Sequence, residues 1–110
     1  MPSLRTLQPG LVPWATRLYR LARHYDARFV VTSAKRTTLE QARLYARWQR
    51  GESELPAAPP GHSKHEVGLA FDLARFGIDP KKDDLLPLIG AVWNSVGGKW
   101  RSSDPVHFEV

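Results

Sequence analysis

Three residues spaced unevenly along the chain are of the kinds that hold metal ions: His65, Asp72 and His107. The first two fall in GHSKHEVGLAFD, Gly61 to Asp72, and the third in the closing segment VHFEV. The chain has no cysteine, so any metal must be held by imidazole nitrogens and carboxylate oxygens. Three ligands of this type leave one position of a tetrahedral zinc ion open for water, the pattern of a catalytic site and not of a closed structural one. Zinc brings the pKa of such a water down to about 7, and a nearby base still helps. Asp104 precedes His107 in SDPVHFE, where a turn through Pro105 would carry its carboxylate to that water. Taken singly, each residue has a plainer reading. Asp72 would be a solvated or salt-bridged strand residue, and His107 an ordinary strand histidine.

Spacing separates the two readings. His65 and Asp72 are an odd number of residues apart, so a single straight strand would put them on opposite faces. They converge only if the chain bends between them. Gly68 is where the bend would fall, because glycine accepts backbone angles that other residues avoid. The small side chain of Ala70, on the same strand face as Asp72, leaves room for a metal and a substrate. His62 competes with His65 as a ligand, and a solvated loop position suits it better.

The elements that must position these groups are legible in the pattern. Residues 1–9 read as an irregular arm. From Pro13 a helix carries Leu11, Trp14, Leu18, Leu21, Ala22 and Tyr25 at three- and four-residue steps. FVVT, from Phe29, favours a short buried strand. Thr38 with Gln41 three residues on is a capping-box signature, and a helix follows to Arg50 with Leu44, Tyr45 and Trp48 on its buried face. Trp14, Trp48 and Trp93 are expected in the core, with Trp100 a candidate for the cleft. ESELPAAPPG is a loop. VGLAFDLA alternates as a strand, with Leu69, Phe71 and Leu73 opposite Ala70, Asp72 and Ala74. Asp83 or Asp84 caps a third helix that ends at Gly97–Gly98, and VHFEV alternates again. The expected fold is α+β, with helices packed on one face of a small antiparallel sheet and Asp72 and His107 on the other.

Composition bounds the function. A chain of 110 residues supports one domain and one core. Sixteen basic against eleven acidic residues give a net charge of +5, which favours polyanions in general. The basic residues are scattered and no nucleic-acid motif accompanies them, so nucleic acid is not expected as a partner. No apolar run approaches the ~18 residues of a membrane span, and MPSLRTLQPG has no apolar core like that of a signal peptide.

Two motifs carry a resemblance. S-x-H-x-x-G-x-A-x-D (Ser63, His65, Gly68, Ala70, Asp72) followed by D-x-x-H-F-E (Asp104, His107, Phe108, Glu109) resembles the VanY-type zinc D,D-carboxypeptidases. Within that family it is most similar to the L-alanyl-D-glutamate endopeptidases found as phage endolysins and bacterial wall hydrolases. The resemblance runs from Phe29 to Val110. It includes T-S-x-x-R-T (Thr32 to Thr37), Glu40-Gln41, and Trp93 with G-G-x-W. It implies a hedgehog- or DD-peptidase-like fold, with His65, Asp72 and His107 as Zn2+ ligands and Asp104 as general base. It implies Arg36 as a substrate contact that stabilises the oxyanion, and Ser63 and Gln41 as residues beside the substrate. Glu109 shares a strand face with His107 and is placed to accept its second imidazole N–H.

The expected function is therefore hydrolysis of peptidoglycan stem peptides, at the L-Ala–D-Glu bond, with D-Ala–D-Ala carboxypeptidase or dipeptidase activity as the alternative. A remoter alternative is a non-catalytic zinc-containing binding module, as the hedgehog signalling domains would suggest. Asp104 argues against it. Residues 1–110 are expected to form a single catalytic domain, monomeric, with no separate wall-binding module and no membrane insertion. The partners are a stem peptide and an anionic wall, with release through a holin as one delivery route. Three departures bear on substrate preference. The loop from Gly51 to Gly61 is short, Lys99 stands where an acidic residue is common, and residues 1–28 match weakly.

Overall fold

The computed structural model describes residues 2–110. Four strands form one antiparallel sheet in the order β1-β2-β4-β3: β1 (Phe29–Ser33), β2 (Ala70–Arg75), β3 (Lys99–Trp100) and β4 (His107–Glu109). Three helices accompany it: α1 (Val12–Tyr25), α2 (Thr38–Gln49) and α3 (Leu86–Ser95). The α+β expectation holds. β3, only two residues long, gave no pattern to read; it pairs with β4 at the edge, Trp100 opposite Phe108.

The core lies between the sheet and α1 and α3. Phe71 and Phe108, opposite each other on β2 and β4, stack with ring centres 5.5 Å apart, and Trp93 of α3 meets Phe71 edge-on. The buried track of α1 is Leu11, Ala15, Leu18 and Ala22. That corrects the expected stripe: Trp14 and Tyr25 are about half exposed, at 48% and 55%. The two alanines let α1 approach closely, and the bulky aromatics are displaced to its edges. Pro13 and Pro87 sit in the first turns of α1 and α3. Asp83 accepts from the backbone N–H groups of Leu85 and Leu86 and so caps α3.

The described part of the expected N-terminal arm, residues 2–9, is not irregular throughout. Leu4–Thr6 forms a 3-10 turn, and Leu4 and Leu7 are buried in the main core. Short apolar content without periodicity hid this docking. α2 also departs from expectation. Its capping box is Thr37 with Glu40, one residue earlier than read. Two Thr-x-x-Glu/Gln frames overlap there, and Gln41 is unavailable for capping because it turns inward. Leu44 and Tyr45 are only partly buried and Trp48 is exposed. The one buried residue of α2 is Gln41.

Candidate metal centre and active-site cleft

Register brings the first two groups together. Asp72 pairs directly with His107 across β2 and β4, so their side chains share a face. His65 arrives from a 3-10 turn, Lys64–Val67, not from an open loop. Ser63 caps that turn by accepting from the His65 N–H, and Glu66 closes the capping box by accepting from the Ser63 N–H. Gly68 then ends the turn in the left-handed region at φ 72°, and a Cβ there would lie 3.1 Å from the Gln8 nitrogen. The expected bend falls where the spacing required it, and only glycine fits it without strain.

The three side chains converge. His65 Nε2 lies 3.0 Å from Asp72 Oδ1 and 3.2 Å from His107 Nδ1, and His107 Nδ1 lies 3.4 Å from Asp72 Oδ1. Their outer nitrogens are already spoken for. His65 Nδ1 is 2.7 Å from the Ala34 carbonyl oxygen, which can only accept, so Nδ1 carries the proton. His107 Nε2 is 2.9 Å from the Glu109 carboxylate and donates to it. In the neutral rings the inner nitrogens are then bare lone pairs, facing each other and a carboxylate oxygen. Three acceptors so close need a positive charge among them. The donor set, buried or half-buried and within 4.8 Å, suits a borderline cation such as zinc.

Arg36 is anchored beside this cluster. Its Nη2 donates to Asp72 Oδ2 at 2.8 Å, its Nε to Ser33 Oγ at 2.8 Å, and its Nη1 to Gln41 Oε1 at 3.1 Å. Three of the five guanidinium N–H groups are thus committed. A register irregularity between Val31 and Ser33 in β1 places Ser33 opposite Asp72, within reach of that arginine. Gln41, expected beside substrate, has both amide ends occupied, its Nε2 donating to the Ala58 carbonyl at 2.8 Å. It braces Arg36 against the 51–61 loop. Ser63 is likewise engaged as a cap. His62 is exposed and outside the cluster.

Asp104 sits half-buried, its backbone N–H bonded to the Arg101 carbonyl and its own carbonyl accepting from the His107 N–H. Burial pushes its carboxyl above the ordinary range, and the charge of Asp72 adds to this against the pull of His107, His65 and Arg36. Burial would also raise Asp72, yet the two histidines and Arg36 outweigh it and hold Asp72 well below the usual carboxylate range. Burial disfavours a charged His107 ring, but Asp72 and Glu109 prevail and raise its pKa. One carboxylate stays ionised and the other binds a proton more readily than usual, the split that separates a ligand from an acid–base group.

These groups open onto a cleft. One cavity of about 610 Å3 holds Arg36, His65, Asp72, Asp104 and His107, and has Leu44, Trp48 and Leu55 on its α2 side. A second, of about 400 Å3, adjoins it over Arg101, Asp104, His107 and Glu109 and extends to Lys99 and Trp100. An apolar cavity of about 370 Å3 between Leu11, Trp14, Leu69 and Trp93 holds no titratable side chain. Sequence reasoning missed the Ala34 carbonyl, which leaves no trace in residue type. It also missed Arg101, a lone arginine in a loop, and it assigned Trp48 to the core.

Comparison with known proteins agrees with the fold and the family. Residues 5–85 match the sequence profile of the VanY family, described as D-alanyl-D-alanine carboxypeptidase, and the chain belongs to that family. No curated protein matches it. Among solved structures, a Zn(II) complex of the vancomycin-resistance D,D-pentapeptidase VanY superposes with a TM-score of 0.71 at 22% identity, covering 94% of this chain and 71% of that one. The D,D-dipeptidase VanXYg, bound to a D-Ala-D-Ala phosphinate analogue, gives 0.70 at 19% identity over 94% and 49% of the two chains. The Serratia marcescens L-Ala D-Glu endopeptidase ChiX gives 0.58 at 24%, over 97% and 82%. At these identities the structural similarity establishes the fold.

Proposed function

We propose that the protein is a zinc-dependent peptidase that hydrolyses peptidoglycan stem peptides, cutting the L-Ala–D-Glu bond. The observation that carries this reading is the inward convergence of the His65, Asp72 and His107 acceptors beside Asp104 in an open cleft. His65, Asp72 and His107 would hold the zinc. When bound, zinc supplies a Lewis acid that polarises the scissile carbonyl and acidifies water.

The chain's own residues do the rest. Asp104, whose pKa is raised and whose carboxylate no protein donor occupies among the described residues, takes the proton of the attacking water and passes it to the leaving amine. The carbonyl carbon gains an oxygen and the C–N bond breaks. Arg36 keeps Asp72 ionised and oriented, and it lines the cavity, with two N–H groups uncommitted for the negative charge that develops on the carbonyl oxygen. Ser63 and Gln41 fix His65 and Arg36 and so act by positioning.

An internal bond suits the cleft because two cavities meet over Asp104 and His107, giving length for a substrate that continues past the cut bond. A carboxypeptidase needs room for only a single residue on the leaving side. D-Ala–D-Ala cleavage is the second reading, favoured by the family's description. Mass spectrometry of muropeptides after digestion separates the two. A new N-terminal D-Glu is the expected product. Released D-Ala would transfer the assignment to the terminal bond, and intact muropeptides from a protein that binds no zinc would end the reading.

A further inference from the structure

The cleft differs in character at its two ends. Leu44, Trp48, Leu55 and Pro56 line one, and Lys99 and Arg101 the other. Four lysines and arginines reach the two cavities. Arg36 is committed to Ser33, Gln41 and Asp72, and Lys64 donates to the Val110 carbonyl at 3.1 Å. Lys99 lines the outer cavity alone. Arg101 lines both, is exposed, and among the described residues its guanidinium has no hydrogen-bond or ion-pair partner. It is tied to Asp104 by one turn, the Asp104 N–H donating to the Arg101 carbonyl at 3.2 Å.

We infer that Arg101 is a specificity-determining residue, receiving the free α-carboxylate of the substrate residue on the leaving side of the cut bond. The inference rests on the peptidase reading above. The chemistry of the two candidate bonds makes it common to both. In D-Ala–D-Ala the leaving residue is terminal and carries its α-carboxylate. In L-Ala–D-Glu the chain continues from the D-Glu side-chain carboxyl, so the α-carboxylate again stays free. Either way a carboxylate stands on the carbon next to the leaving nitrogen. Asp104 must approach that same nitrogen to deliver its proton, and two carboxylates there repel each other. A guanidinium one turn from Asp104 offsets the repulsion and grips the substrate carboxylate with paired N–H donors. The outer cavity past Arg101 then takes the remainder of the stem peptide.

The test uses matched synthetic peptides: a stem peptide with D-Glu against its α-carboxamide, and D-Ala–D-Ala against D-Ala–D-alaninamide. kcat/KM is measured for the wild type, Arg101→Ala and Arg101→Lys. The wild type should prefer the carboxylate of the pair it cuts by about ten- to a hundredfold, the scale of a charge-assisted contact. Arg101→Ala should bring the carboxylate peptide down to its amide, with Arg101→Lys between. The thermal midpoint should not move, because the side chain is exposed and unpaired. A wild type indifferent to the amide, or a preference that survives in Arg101→Ala, overturns the role of Arg101 and leaves the peptidase reading standing. A wild type that cuts neither pair overturns the peptidase reading, and this inference with it.

Discussion

Asp72 and Arg75 lie three residues apart on β2, on opposite faces, and each anchors a cluster of polar groups. Around Arg75, donors meet acceptors. Its Nε and Nη2 grip the Asp83 carboxylate at 2.9 and 2.8 Å, Nη1 reaches Asp26 at 3.1 Å, and Nη2 also reaches Asp84 at 2.9 Å. Around Asp72, Arg36 supplies one such pairing, but on the other oxygen three acceptors face one another. The Arg75 cluster is complete in itself and ties β2 to the end of α1 and the start of α3. The Asp72 cluster is left with lone pairs facing one another, an arrangement that could hold a metal ion. Buried charge alone therefore does not mark a site. A surplus of lone pairs pointing inward does.

The largest effects should fall on the incomplete cluster. Asp104→Asn keeps the turn, since only its backbone is bonded, and should lower kcat on peptidoglycan by about a thousandfold while zinc content stays at that of the wild type. His65→Ala should lose both metal and turnover. Elemental analysis with a turbidity or muropeptide assay reads the two variants side by side. Full turnover in Asp104→Asn would remove the base assignment.

How far the sequence anticipated this contrast depends on whether geometry was local. The alternation in LAFDLA and VHFE was enough to put Asp72 and His107 on one sheet face, and the seven-residue interval was enough to require a bend at Gly68. The completeness of a cluster was not legible. That Arg36 is spent on three partners depends on an irregularity in β1 and on Gln41 turning inward from α2, and both follow from tertiary packing. The Arg75 knot was equally hidden, because Asp83 and Asp84 read as cap residues and no pattern joined Asp26 to them. Asp83 is indeed a cap, with a second duty no pattern announces.

The complete cluster should respond in stability and not in chemistry. Arg75 is 9% exposed and Asp83 6%, so Arg75→Ala leaves a buried carboxylate with only backbone donors. Discounted for the open side at Asp84, the cost is about 2–3 kcal/mol at pH 7. Turnover per folded molecule should be kept. The sign with pH is fixed by Asp83. Burial would raise its pKa, but Arg75 and the α3 amides hold it below 3.8. Its contribution is then present above pH 4 and lost as pH falls through the lower folded value. Without Arg75 the burial effect dominates, so protonation relieves the variant. Urea unfolding at pH 7 and pH 3 should show the gap between variant and wild type closing in acid. A gap that stays constant would mean the charges there contribute nothing.

The smallest effect tests whether the two clusters share a device. Asp83 occupies the donors of Arg75, and Glu109 does the same for the outer nitrogen of His107, at 2.9 Å. By accepting from Nε2, Glu109 leaves Nδ1 turned towards Asp72, and on the proposed zinc reading its charge would make the ring a stronger ligand. Glu109→Gln preserves shape and an acceptor oxygen but removes the charge. Zinc affinity, measured by chelator competition, should fall about tenfold, near the low end for such partners, with the thermal midpoint of the metal-free protein almost unmoved. Glu109 also borders both cavities, so a different pattern has a distinct meaning. Unchanged zinc affinity with a raised KM would assign its carboxylate to the substrate, and the metal cluster would then rest on His65, Asp72 and His107 without the support that completes its counterpart.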